Sequence, residues 1–305
     1  MTKSVVLSIC IPTNGVSEWV FPVLDSIFNQ DVDSSLYEVI VTDNGSNSQF
    51  YQGMQDYKCF HQNLIYKKTD AFEFLNEIES YNLASGILIK FINHRTKLLP
   101  GTLKYLIDFA SKNQVDKPCA YFSNGVLKLK KLVNTYDCFD EYVKNLSYWS
   151  SWSTGMTFWK SDFEKIDRNE KYNTLFPHTN ILFHERDKKS YIIDNKVLLD
   201  EIPTGKIPKG RYNIFFAFAV EYPSIILDLL RDKSISFKTY KSVLKDNLQF
   251  VASSYFEYII LKRKCSYELK NIKESISVFY SKRKVRLGTI KEFFIRLRRK
   301  FFKNS

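Results

Sequence analysis

Residues 4–14, SVVLSICIPTN, and residues 37–46, YEVIVTDNGS, are two short runs of β-branched and apolar residues, each closed by a turn cluster. The first reads as a strand, Ser4–Ile11, that stops at Pro12, which has no N–H for a ladder. The second, Tyr37–Thr42, stops at Asp43-Asn44-Gly45-Ser46, residue types that suit tight turns. Between them, Val16–Asn29 sets Val20, Val23, Leu24, Ile27 and Phe28 at helical spacing. Further along, the pattern predicts a helix over 48–61, a strand over 64–67, a helix over 72–83 and a strand over 86–92. A helix then runs from Pro100-Gly101 to about Lys112, followed by strands at 120–123 and 126–130. This βαβαβ order predicts the α/β class: a mostly parallel sheet with helices on both faces. Ligands of such sheets bind outside the carboxyl ends of the strands. That rule singles out Pro12-Thr13-Asn14, Asp43–Ser46, Lys67–Asp70 and Asn93–Thr96.

From about Tyr212 strand signals fade, and helical periodicity takes over in 212–232, 236–263 and 267–281. The expected organisation is an α/β domain over 1–210 and an all-helical region over 211–305, with Lys206–Gly210 as the linker.

Composition sets limits. An apolar fraction of 44% over 305 residues excludes a disordered chain, and ten glycines and eight prolines exclude a collagen-like or low-complexity one. Cys10, Cys59, Cys119, Cys138 and Cys265 are scattered and odd in number, without a C-x-x-C pair. They argue against a disulfide framework and for a reducing compartment. The N-terminus lacks the pattern of a secretory signal. The longest uncharged apolar run, Ile214–Val220, has the length of a core helix rather than of a membrane span.

The net charge is +12, and residues 281–305 carry ten basic residues and one acid, leaving +3 for the other 280. In this tail Ile290, Phe293, Phe294, Leu297 and Phe301 recur at i, i+3, i+4, i+7 and i+11, the spacing of an interfacial helix with a cationic face. The expected polyanion is therefore an anionic membrane surface and not nucleic acid, for which no module is evident. A helix packed on the C-terminal region is the alternative.

At the first two strand ends the sequence resembles family 2 glycosyltransferases, of the Rossmann-like GT-A fold. The resemblance rests on LSICIPTNG, LDSIFNQ, YEVIVTDNGSNS, NLASGILIKFINHRTKLLPGTL and STGMTFWKSDF, within residues 4–185. It implies a nucleoside-diphosphate sugar as donor and, as in bacterial surface-polysaccharide enzymes, a glycan acceptor, lipid-linked given the basic tail. It also implies an inverting displacement and a cytoplasmic site on the inner face of the membrane. By the same resemblance Pro12, Thr13, Asn14 and Asp43 contact base and ribose. Asp43-Asn44-Gly45 suits a plain turn equally. Asp70 is a further nucleotide candidate, or an exposed loop carboxylate.

The family's Asp-x-Asp, which holds Mg²⁺ or Mn²⁺ on the diphosphate, is matched here by Asn93-His94-Arg95. Two carboxylates are missing, which leaves the metal open. Arg95, with His94 or Lys90, would then neutralise the leaving diphosphate, because guanidinium forks fit phosphate oxygens. Where the family carries a Glu-Asp base, this chain has His178, with Glu185 as the alternative. Trp149 and Trp152 flank Ser150-Ser151 and suit stacking on a sugar acceptor, whereas Trp159 and Phe163 suit the core. The departures at both motifs motivate a second reading: an inactive binding or scaffold subunit of a polysaccharide-assembly complex.

Overall fold

The structure is a computed structural model that describes residues 5–167, 169–204 and 210–302, with side chains as far as Arg298. The expected linker 206–210 lies outside the described residues, apart from Gly210. The chain divides into two compact units, Met1–Tyr142 with Trp149–Pro203, and Val143–Tyr148 with Thr204–Ser305. The second begins upstream of the expected boundary at 210. It also takes in a short segment that no composition shift marks.

In the first unit the strands are β1 (Leu7–Thr13), β2 (Tyr37–Asp43), β3 (Leu64–Lys68), β4 (Leu88–Phe91), β5 (Thr96–Leu98), β6 (Cys119–Phe122), β7 (Val133–Tyr136), β8 (Met156–Trp159), β9 (Tyr191–Asp194) and β10 (Leu199–Glu201). The helices are α1 (Ser17–Phe28), α2 (Ser48–Phe60), α3 (Asn76–Leu83), α4 (Thr102–Asn113), the start of α5 (Phe139–Leu146, whose residues from Val143 count with the second unit), α6 (Lys160–Phe163) and α7 (Pro177–His184). Eight strands form one mixed sheet in the order β3-β2-β1-β4-β8-β6-β9-β7, and β10 pairs with β5 in a two-stranded ribbon. β3, β2, β1 and β4 are parallel; β8 runs against β4 and β6, and β7 against β9.

The period-2 pattern of the strands sorts the two faces of the sheet. Leu7, Ile9 and Ile11 of β1 and Val39 and Val41 of β2 pack with Val20, Val23, Leu24 and Ile27 of α1 and Leu103 and Leu106 of α4. On the other face the Cys10 thiol meets the Ser80 carbonyl, and the Thr42 hydroxyl meets that of Asn76, so α3 covers β1 and β2. Parallel strands buried on both sides read as continuous apolar runs, which is why SVVLSICI and YEVIV were legible.

The expected strand at 126–130 is absent. Asn124 and Gly125 turn the chain with positive φ. The Asn195 amide then accepts from Leu127 N and donates to Leu127 O, taking the place of a ladder. The next strand, β7, is polar and half exposed, a pattern without an apolar period.

In the second unit Ile214–Phe216 (α8) continues through a π-helical turn, Ala217–Glu221, into α9 (Tyr222–Arg231). It is followed by α10 (Phe237–Tyr255), α11 (Ile272–Phe279) and α12 (Lys282–Phe302). Ile214, Phe215, Ala219, Val251, Ala252, Ile276, Tyr280 and Val285 form its own core. No helix among the described residues is long and apolar enough to cross a membrane.

Candidate functional site

Register builds the site. Thr13 of β1 lies beside Asp43 of β2, and Asp43 beside Lys68 of β3, so three polar residues form a row across the carboxyl edge. Asp43 has no exposed surface. Its Oδ1 accepts from Gly45 N at 2.8 Å; its Oδ2 accepts from the Tyr66 hydroxyl at 2.8 Å and from Lys68 Nζ at 3.0 Å. Burial and the neighbouring carboxylate push the Tyr66 phenol up, so it stays protonated and donates. Lys68 also reaches the Gly45 carbonyl while its side chain stays 40% exposed.

The backbones of the first two turns touch. Asn44 N donates to Thr13 O, and a Cβ on Gly45 would fall 2.0 Å from the Asn14 carbonyl oxygen. Only glycine permits that approach. Asn14 is exposed at the tip, with Pro12 half-buried before it. Asp70 is exposed in the loop after β3.

A residue that sequence reasoning missed ties these turns together. Asn76, buried at the start of α3, donates to Thr13 O at 3.2 Å and Thr42 O at 2.9 Å, and accepts from Thr69 Oγ1 at 2.8 Å. Its amide thus joins the ends of β1 and β2 to the turn after β3. Tyr66 was missed as well; Lys68 falls in the singled-out segment Lys67–Asp70 but was given no role. The signal for Asn76 is weak, because an Asn opening a helix normally reads as a cap.

The fourth turn completes the edge. His94 Nδ1 lies 2.8 Å from Thr13 Oγ1, and that oxygen accepts from Gly15 N at 3.1 Å. Burial, and then the Arg95 charge, push the His94 imidazole down to about 4. It is neutral at pH 7, and its Nδ1 shares one hydrogen bond with the threonine hydroxyl. The ring also stands edge-on to Trp19, 5.1 Å away. Asn93 Oδ1 accepts from Arg95 N. The Arg95 guanidinium turns aside, to Glu201 Oε2 at 2.9 Å and the Ile202 carbonyl at 2.6 Å. It braces the end of β10, contrary to the expected contact with a diphosphate. This donor set does not fit Mg²⁺ or Mn²⁺: it holds no carboxylate, the Asn93 amide oxygen caps its own turn, an imidazole is a poor ligand for a hard cation, and a guanidinium repels one. Among the described residues no three His, Cys, Asp or Glu side chains group as metal ligands.

Five other expected site residues have separate surroundings. Lys90, expected at the nucleotide, points into the sheet: it is 1% exposed and donates to the carbonyls of Thr154 and Met156. Burial pulls its ammonium down to about 7. Trp149 and Trp152 are half-buried just before β8, at the carboxyl edge of β4, with perpendicular rings 6.3 Å apart. The Tyr121 hydroxyl lies 2.5 and 2.7 Å from their carbonyl oxygens. A Cβ on Gly155 would fall 2.1 Å from the Tyr121 ring, so glycine is what admits the tyrosine. Trp159 and Phe163 are buried, as their context predicts.

His178 is also buried. Its Nδ1 lies 3.2 Å from Glu77 Oε2 and its Nε2 lies 2.9 Å from the Ser151 carbonyl oxygen. Both nitrogens face acceptors, so the ring joins α3, α7 and the tryptophan loop and has no lone pair directed at an acceptor hydroxyl. The expected base role is not supported.

Glu185 lies at the opposite edge. Its neighbour Lys188 reaches Asp162, beyond the end of β8, and the Lys117 carbonyl, before the start of β6. A cleft of about 360 Å³ opens there, lined by Asp162, Phe163, Ile181, Glu185 and Lys188. Glu185 Oε2 is 3.5 Å from Lys188 Nζ but accepts no hydrogen bond among the described residues. Burial pushes its carboxyl from 4.5 up to about 7, with Lys188 acting in the opposite sense. Between those values the folded state binds the extra proton, so this group's stabilisation is lost as pH rises through the window. Glu185→Gln is expected to stabilise the protein by about 1–3 kcal/mol at pH 8 and by much less at pH 5, read by urea unfolding at both pH values.

No family model matches the sequence, and no curated protein matches it either. Solved structures do. S. aureus TarS 1–349 superposes with a TM-score of 0.58 at 16% identity, covering 85% of this chain and 75% of that one. The same protein in complex with UDP gives 0.57 at 17%, with the same coverage. Its complex with UDP-GlcNAc gives 0.60 at 15%, covering 94% and 89%. At these identities the likeness establishes the fold.

Proposed function

We propose that this chain is a glycosyltransferase that uses a nucleoside-diphosphate sugar. The observation that carries the reading is the Thr13–Asp43–Lys68 row at the carboxyl edge of a sheet whose fold matches a protein solved with UDP and with UDP-GlcNAc. A carboxylate at a strand end suits a ribose hydroxyl, by the logic of dinucleotide sites. Asp43 is covered by Lys68, so the ribose reaches it in exchange for the ammonium. The half-exposed lysine is then free to meet the diphosphate, in place of the braced Arg95.

In the proposed inverting reaction an acceptor hydroxyl attacks the anomeric carbon. The bond to the phosphate oxygen breaks, and the nucleoside diphosphate leaves with its electron pair. The hydroxyl proton passes to a general base. Trp149 and Trp152 supply the apolar surface for an acceptor glycan. The acceptor class we favour is a lipid-linked glycan of a surface polysaccharide.

One observation favours a second reading, a donor-binding subunit without turnover: neither His178 nor Glu185 is placed as a base, and the metal turn lacks its carboxylates.

A thermal-shift panel of UDP and nucleoside-diphosphate sugars, with Mn²⁺ or with EDTA, tests the shared part. At one hundred times Kd the correct donor raises stability by about 2.7 kcal/mol, in EDTA as in Mn²⁺. No shift with any of them overturns both readings. Release of UDP from the donor that binds, or its absence, separates the enzyme from the binding subunit.

A further inference from the structure

Helix α12 is packed inside out. Its inner face holds Val285, Gly288, Thr289, Glu292 and Arg296. Gly288 lies so close to α10 that a Cβ there would fall 2.7 Å from the Ala252 methyl. Glu292 is 8% exposed; it bonds Arg296, and Arg296 reaches Glu257 and lies over the Phe256 ring. The inner face keeps Val285 in the core, and the outer face carries most of the other apolar residues. Leu287 is 57% exposed, Ile290 53%, Phe294 55% and Leu297 39%. An ordinary surface helix turns such residues inward.

The exposed row is bordered by charge. At 3.6 residues per turn, Lys284, Lys291 and Arg298 run along one side of it, and Lys282 and Arg286 open the other. All five are exposed, and the acid of this helix is the one turned inward. Phe301, expected to extend the row, lies outside the described side chains.

We propose that the outer face of α12 lies in the headgroup region of an anionic membrane, with Leu287, Ile290, Phe294 and Leu297 in the acyl boundary. Lipid is the occupant the charge pattern selects. Basic residues on both flanks of an apolar row meet anionic headgroups on both sides of the helix, each contributing about fivefold in affinity near such a surface. This proposal stands apart from the nucleotide-sugar reading, since vesicle binding and UDP binding are measured separately.

The test is sedimentation of the full chain with phosphatidylcholine vesicles, with and without phosphatidylglycerol. Binding is expected only to the anionic vesicles, weakening as salt rises. Leu287→Ser/Phe294→Ser should lower it at least tenfold with the melting temperature unchanged, because both side chains are exposed. If that variant fails to fold, Lys284→Glu/Lys291→Glu carries the same test with the same expected loss. No binding to anionic vesicles, or equal binding by the variants, overturns the proposal. So does a dimer that L287S/F294S dissociates, which would make a second copy the cover of the row, or binding of duplex DNA in place of vesicles.

Discussion

Asp43→Ala is expected to lower UDP affinity by at least about 100-fold in titration calorimetry. The carboxylate is held by three donors from β3 and the Gly45 turn. Removing it deletes the proposed ribose acceptor and leaves the Tyr66 hydroxyl and the Lys68 ammonium without their shared partner. Hydrogen bonds to charged groups contribute about 1.5–3 kcal/mol each, so two lost together exceed the 2.7 kcal/mol of a 100-fold change. Tyr66→Phe removes one donor and keeps the carboxylate; its cost in affinity should stay within about tenfold. Unchanged UDP affinity in the alanine variant would make Asp43 a turn residue only, the plain reading of Asp43-Asn44-Gly45.

His178→Ala is expected to destabilise the protein by about 1–3 kcal/mol, because it removes the ring partner of the buried Glu77 side chain and leaves it the Tyr81 hydroxyl at 3.4 Å. Thermal unfolding reads this as a fall of several degrees. The double variant Glu77→Gln/His178→Ala should recover part of the loss, since an amide is less costly than a carboxylate in a buried site that has lost a partner. A histidine acting as catalytic base predicts the opposite: unchanged stability, lost turnover and no rescue by the change at Glu77.

The two residues illustrate where sequence reading succeeds. Asp43 follows a four-residue β-branched run, Val39–Thr42, and precedes Asn-Gly, so its place at a strand end could be read from its neighbours. Its parallel register with Thr13 then put both in one row. His178 also has a local signal, Pro177 at the first turn of α7, a position where proline suits a helix start. It was silent about Glu77, which arrives from 101 residues away. Arg95 repeats the lesson. Its position in the fourth turn was readable, whereas its partner Glu201 sits on β10, a three-residue strand with no period of its own.

The sequence determined the strand–helix order from β1 to β4, the four turns at the carboxyl edge and the amphipathic tail. These rest on periods of two and 3.6 and on turn residues, all encoded within about ten positions. Tertiary structure decided which of the polar side chains at those places remain available. It sent Lys90 into the sheet and Arg95 to β10, closed both nitrogens of His178, and placed Glu185 at the far edge. It also turned the apolar row of α12 outward, by seating Glu292 and Gly288 against α10. The physical reason is common to Lys90, Arg95 and His178. A buried polar group must find a partner, and the partner is supplied by whichever distant segment packing brings within about 3 Å.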